Sequence, residues 1–406
     1  MAAPQFTALY TLPLGLLEPL HGGDPFLVRK LVLPLGLLSI VLGFRLCARF
    51  AGERLAALAA LGMAVCPCFI LIHGLIQPFE TLPWVWTLIA LTIFLGCPEL
   101  APRAVDASGP APAPTPAPST ARLALGALCV GLAILANIKA VFYVVPLFAL
   151  ALRLGIRVRP IRPAQWALMI AAGALALVPM AIPVLMDPSM RYAQGRGGNW
   201  IQVLQENLRR PQKVFEAVRD LVLMWSNFGS YFAQQPLNHA SLAVAALVLA
   251  FVLADTARTV IRRRGCVVTA ACGVLLVCYL GVVTLLYSEF PANYTPLHAV
   301  FGVSLGVAAY RLGAWLRPRL PLAAAAALVA CIFLPFAWSS VETLGLVSEL
   351  PFVANSHAER ELTRYLVAHA DPPAQTVTIN LLAGGLVDAI SRGRVRTLQA
   401  LSLIHI

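Results

Sequence analysis

Few residues in this chain have obvious chemical potential, because most of it is hydrocarbon. Lys139 stands between two apolar stretches, Gly131-Leu-Ala-Ile-Leu-Ala-Asn-Ile138 and Ala140-Val-Phe-Tyr-Val-Val145. A charged side chain near a bilayer centre costs about 2.5–3.5 kcal/mol, so such groups are functional candidates by default. As a compact point charge Lys139 suits a phosphate; the competing reading is a lysine that snorkels to the membrane boundary. Glu80 opens an apolar run just after a short stretch holding His73 and Gln77. A carboxylate there can orient a cation or an acceptor hydroxyl, or can simply favour the positive end of a helix. Glu289, Asn293, Tyr294 and His298 crowd one short connection, as a binding cluster or as an interfacial polar and aromatic belt. Asp187, Arg191 and Arg196 open a long polar segment, where arginines can grip phosphate. Asp24 and Arg29 flank the first long apolar run, where helix capping competes with a place in a cavity. His73, Glu80, Glu289 and His298 lack metal-ligand spacing, and no metal or cofactor is expected.

The elements that must position these residues follow from composition. Of 406 residues, 59% are hydrophobic and 12% charged, and the mean hydropathy is +0.80. A soluble domain carries about 25% charged residues, and disorder requires low hydrophobicity. The expected fold is therefore an all-α polytopic membrane bundle. Ten apolar segments are candidate spans: 31–48, 55–72, 79–96, 123–137, 140–154, 164–186, 240–256, 266–287, 292–312 and 320–338. The formal charge of +12 implies no nucleic acid, because the arginines punctuate the apolar runs. Arg45, Arg49 and Arg54, then Arg153 to Arg162, Arg258 to Arg264, and Arg311 to Arg319 fill alternate connections, whereas 73–78, 138–139 and 288–291 carry only Lys139. The positive-inside rule makes the arginine-rich connections cytoplasmic.

Outside the spans, 97–121 contains an alternating Pro/Ala run, expected to be a semi-rigid cytoplasmic linker. Residues 187–239 form an outer segment in which 199–223 has helical periodicity, one or two amphipathic helices lying on the outer interface. Residues 339–400 are more polar; helix over 356–369, strand over 375–381 and helix over 386–392 predict a truncated extracytoplasmic α/β domain. Most of the nine cysteines lie inside apolar runs as small hydrophobes. The closing Leu401-Ser-Leu-Ile-His-Ile406 matches the translation of a transposase mosaic end, so 401–406 are expected to be an adaptor-derived tail. The first span runs from outside to inside, so 1–26 are expected to be the remnant of an outer loop that follows a missing helix.

The order of these pieces resembles the GT-C glycosyltransferases of family 39, the relatives of protein O-mannosyltransferases and aminoarabinose transferases. The resemblance rests on Asp24-Pro-Phe-Leu-Val-Arg-Lys30, an apolar span, Arg45-Leu-Cys-Ala-Arg-Phe-Ala-Gly52, and Gly131-Leu-Ala-Ile-Leu-Ala-Asn-Ile-Lys139 followed by Ala140 to Pro146. It covers about residues 4–340 loosely. It implies transfer of a sugar from a polyprenyl-phosphate donor to an outer-face acceptor, at a bacterial inner membrane. An acceptor hydroxyl, deprotonated by a carboxylate, attacks the anomeric carbon, and the lipid phosphate leaves into a cationic site. The family's acidic motif has no counterpart here; the catalytic carboxylate is expected upstream of Met1. The resemblance gives Lys139, Glu80, His73, Gln77, Glu289, Asn293, Tyr294, His298, Asp187 and Arg191 as substrate-binding candidates. A multi-spanning transporter or flippase, or an envelope polysaccharide polymerase, is the alternative. Oligomeric state is left open.

Overall fold

Each of the ten apolar segments is helical in the computed structural model, which describes residues 33–71, 78–95, 119–137, 140–153, 162–186, 205, 207–210, 212–227, 238–262, 265–286, 295–345, 375–378 and 396–399. The helices are α1 Leu33–Ala51, α2 Glu53–Val65, α3 Pro67–Leu71, α4 Pro78–Leu95, α5 Thr120–Ala136, α6 Val141–Arg153, α7 Pro163–Met186, α8 Gln212–Ser226, α9 His239–Arg262, α10 Val267–Leu286, α11 Thr295–Leu316 and α12 Leu322–Gly345. Leu33–Ala51, His239–Arg262, Pro296–Leu316 and Leu322–Leu344 are long and apolar enough to cross a membrane alone. The 1–26 segment, nearly all of the 97–121 linker, the predicted helices 356–369 and 386–392, and the 401–406 tail lie outside the described residues.

Several boundaries differ from the sequence expectation, each for a local reason. The segment 55–72 is two helices, because Cys66 is extended at φ −75° and ψ 115°. A residue before proline is driven out of the helical region, and Pro67 has no N–H to donate. Gly52, at φ 84°, reverses the chain between α1 and α2, a conformation that costs glycine little. Of the one or two helices expected over 199–223, the regular helix α8 starts at Gln212, directly after Pro211, and runs to Ser226. The last long helix continues past 338 to Gly345. The strand is Gln375–Thr378, and it pairs in parallel with Arg396–Gln399.

Close contact between helix backbones sets the core. At the crossing of α2 and α11, Gly62 faces Gly302, and Gly306 faces Ala59. Gly302-Val-Ser-Leu-Gly306 has the four-residue small-residue spacing that lets membrane helices approach closely. Gly131 of α5 makes the corresponding approach to Gly173 of α7. The main core joins α1, α2, α4, α6 and α8 to α12. A second, smaller cluster of Ala90, Phe94, Leu123, Ala127 and Cys129 fastens α5 to α4.

The helix ends sort by charge. Cys66, at the end of α2, lies against the carbonyl of His298, in the first turn of α11. Ser340 of α12 donates to Val65 at 2.7 Å, and Ser241 of α9 donates to Ser226 at the end of α8 at 3.0 Å. These contacts gather the ends of α2, α8 and α12 with the starts of α9 and α11. The opposite ends carry Arg45, Arg49, Arg54, Arg258, Arg262, Arg311, Arg317 and Arg319, the asymmetry that fixes orientation in a membrane.

Candidate functional site

At the arginine-poor end, α8 closes the bundle. Trp225 is 1% exposed and stacks on Phe301 of α11 with centroids 4.4 Å apart; Phe301 meets Phe336 of α12 edge-on at 5.4 Å. Around this aromatic stack runs a network of uncharged polar groups. The Ser226 carbonyl accepts from Ser241 and from Ser339, each at 3.0 Å. The Asn227 amide donates to Ser226 Oγ at 2.9 Å and to the Asn238 carbonyl at 3.2 Å, while its oxygen accepts from the Asn238 N–H. Asn238 in turn caps α9, accepting from the N–H groups of Ala240 and Ser241. Buried amides and hydroxyls left unpaired cost about 1–3 kcal/mol each, so this pairing is a condition for burying the end of α8.

Below this layer an apolar cavity of about 180 Å³ opens between α1, α2, α4, α6, α10 and α11. Leu46, Phe50, Leu88, Leu91, Leu150, Leu275 and Val300 line it, and no charged residue does. Its polar edge is small. Ser39 is bonded back to the Leu35 carbonyl at 3.0 Å, and the Cys272 thiol pairs with Ser304. Trp84, 6% exposed, presents a buried indole N–H with no hydrogen-bond partner. Trp84 meets Tyr143 of α6 edge-on at 6.0 Å, and Tyr143 tilts against Tyr279 of α10 at 5.3 Å. The cavity can hold a hydrocarbon chain; an anion would have to sit at its rim.

The sequence candidates divide sharply against this geometry. His298 is fully buried in the first turn of α11, next to Ala299 and Val300 of the cavity wall; an exposed belt is therefore not its place. Glu80 lies in the first turn of α4, four residues before Trp84. Lys139, His73, Gln77, Glu289, Asn293, Tyr294, Asp187, Arg191, Arg196, Asp24 and Arg29 lie outside the described residues. Lys139 precedes Tyr143 by four residues and follows Asn137, whose side chain is buried and whose carbonyl accepts from Ala140 at 2.9 Å. Sequence reasoning missed Trp84, Tyr143 and Asn137. For Trp84 the signal was its place four residues after Glu80 in α4, since residues four apart share a helix face. Cys66 and Cys68 reach different carbonyls, those of His298 and Met224, and both are free thiols.

A helical membrane bundle folded around an apolar cavity, with arginines gathered at one end and a buried network of uncharged polar groups at the other, is the class of structure that results. No family model matches the chain, and no curated protein sequence matches it. Among solved structures it is similar to ArnT from Cupriavidus metallidurans bound to undecaprenyl phosphate, at TM-score 0.52 and 13% identity over 93% of this chain and 73% of that one. The Archaeoglobus fulgidus oligosaccharyltransferase in complex with zinc and sulfate gives TM-score 0.49 and 16% identity over 91% of this chain and 50% of its own.

Proposed function

We propose that the chain is a membrane glycosyltransferase that takes its sugar from a polyprenyl-phosphate donor and delivers it to an acceptor at the outer face of a bacterial inner membrane. The observation that carries the reading is the cavity. It is lined by hydrocarbon and thiols, with Trp84 in its wall, and belongs to a fold similar to that of a protein crystallised with undecaprenyl phosphate. An isoprenoid tail fits such a lining, because burying apolar surface stabilises by about 25 cal/mol per Å² and asks for no polar partner.

In this reading the tail occupies the cavity and the phosphate sits at the rim, held by Lys139 with the Trp84 indole as a second donor. Glu80 and His298, each within a turn of the cavity wall, orient the sugar or the acceptor. His73, Gln77, Glu289, Asn293, Tyr294, Asp187 and Arg191 complete the outer binding surface. We assign binding roles and no catalytic base. The ten helical segments cross the bilayer, and the parallel strand pair starts an outer α/β domain.

Incubating membranes that contain the chain with a radiolabelled polyprenyl-phosphate sugar tests the transfer, and purification in nanodiscs with polyprenyl phosphate tests the site. We expect retained polyprenyl phosphate on native mass spectrometry, and weaker retention for Lys139→Ala. A chain that retains none in either form sinks the lipid reading. Equal retention by both forms returns Lys139 to a snorkelling role.

A further inference from the structure

Helix α8 differs from the spanning helices. Four of its fifteen residues are charged, Lys213, Glu216, Arg219 and Asp220, and it is the one described helix outside the spans that presents a large bare aromatic. Ala217, Asp220, Leu221, Met224 and Trp225 form its buried face. On another side Phe215 is 77% exposed and Val214 43%, so the apolar arc of the helix is wider than the surface the bundle covers. The depth of α8 decides what meets the uncovered part. Its last residue, Ser226, accepts from Ser339 at 3.0 Å, and Ser339 lies within the apolar span Leu322–Leu344. Ser339 opens the polar run Ser339-Ser-Val-Glu-Thr343, so the end of α8 meets α12 where that helix turns polar, as spanning helices do at a membrane boundary.

Charge complementarity completes the argument. Residues 205–226 carry Arg209, Arg210, Lys213 and Arg219 against Glu206, Glu216 and Asp220, and three of the four basic residues fall within 209–213. Asp220 is already engaged by Arg219 at 2.9 Å, whereas Arg209 and Arg210 are exposed and, with Lys213, make no ion pair among the described residues. Basic side chains beside an exposed aromatic are the pattern of an interfacial helix on an anionic surface.

We propose that α8 binds the bilayer surface selectively, with Phe215 entering the acyl boundary while Arg209, Arg210 and Lys213 hold anionic phospholipid headgroups. The binding does not depend on whether the chain transfers a sugar. The test is hydrogen exchange of 205–220 in the full chain, reconstituted in nanodiscs of phosphatidylcholine alone or with phosphatidylglycerol. Exchange slows in the anionic discs, by about fivefold for each basic residue engaged. The Arg209→Gln, Arg210→Gln, Lys213→Gln variant loses that difference, and Phe215→Ser exchanges faster in both lipids; because Phe215 is exposed, that substitution leaves the core intact. Equal exchange in the two lipids overturns the anionic preference, and an unchanged Phe215→Ser overturns the insertion. Photocrosslinking from benzoylphenylalanine at 215 in whole membranes joins phospholipid; a crosslinked protein in its place assigns the surface to a partner chain and overturns the proposal.

Discussion

Replacing Gly302 with alanine tests whether backbone contact at the crossing of α2 and α11 holds the bundle together. A Cβ on Gly302 would stand 2.6 Å from Met63 Cα and 2.7 Å from Met63 N. Carbon atoms in favourable contact are about 3.5–4.0 Å apart, so the two helices must separate by about 1 Å at this point. Both opposing atoms are backbone, and no side-chain rotation relieves the clash. Overpacking of this kind costs about 1–3 kcal/mol. Little offsets it, because membrane helices associate by packing, without the hydrophobic gain available in water. The ratio of folded to unfolded chain then falls between about fivefold and about a hundredfold. Gly281→Ala is the control: nothing lies within 4 Å of its new Cβ, and alanine in a helix gains about 1 kcal/mol over glycine. Reversible unfolding in micelles, followed by steric trapping, measures both. A Gly302→Ala protein as stable as the parent, or a Gly281→Ala protein equally weakened, refutes the packing argument. Gly302 also lies one turn beyond His298, so a separated crossing lowers lipid retention along with stability.

Val300, 4% exposed on the cavity wall, is the place to fill the cavity. Val300→Trp lowers the polyprenyl phosphate recovered with the purified protein, and unchanged recovery by mass spectrometry counts against a tail in this space. Trp225→Ala removes the ring stacked on Phe301, costs about 3–5 kcal/mol, and opens α8 to limited proteolysis; a protected α8 contradicts the anchoring role. Asn227→Ala strands the Asn238 N–H and carbonyl and costs about 1–3 kcal/mol, read as a lower midpoint of thermal unfolding.

The helices were legible because a span needs about 20 apolar residues, a pattern that survives small errors at the ends. The break at Cys66 was legible too, in Cys66-Pro67, but an uninterrupted apolar run outweighed it. The cavity was not legible. Leu46, Leu88 and Leu275 read as lipid-facing or core with equal ease, and only the packing of six helices leaves space between them. His298 shows the same limit within the candidate site. Glu289, Asn293, Tyr294 and His298 read as one polar loop, yet α11 begins at Thr295. That start places His298 inside a helical turn, and the turn faces the core. Sequence spacing finds which residues share a helix face; it does not say which neighbouring helix that face meets.

The division of labour within the bundle follows from the cost of burying charge. A phosphate inside the cavity would meet no cation among the residues that line it, and an unpaired anion in hydrocarbon is prohibitively costly. The uncharged network around Ser226 and Asn227 is already satisfied internally and has little to offer a dianion. The cavity interior therefore excludes an anion; in the proposed reading the phosphate stays outside it, and Lys139 and Glu80 are candidates by sequence, four residues from Tyr143 and Trp84, which touch each other. In the proposed reading a ligand that is hydrocarbon at one end and phosphate at the other suits such a cavity, because its tail asks for no polar partner while its phosphate avoids the cost of an unpaired anion in hydrocarbon.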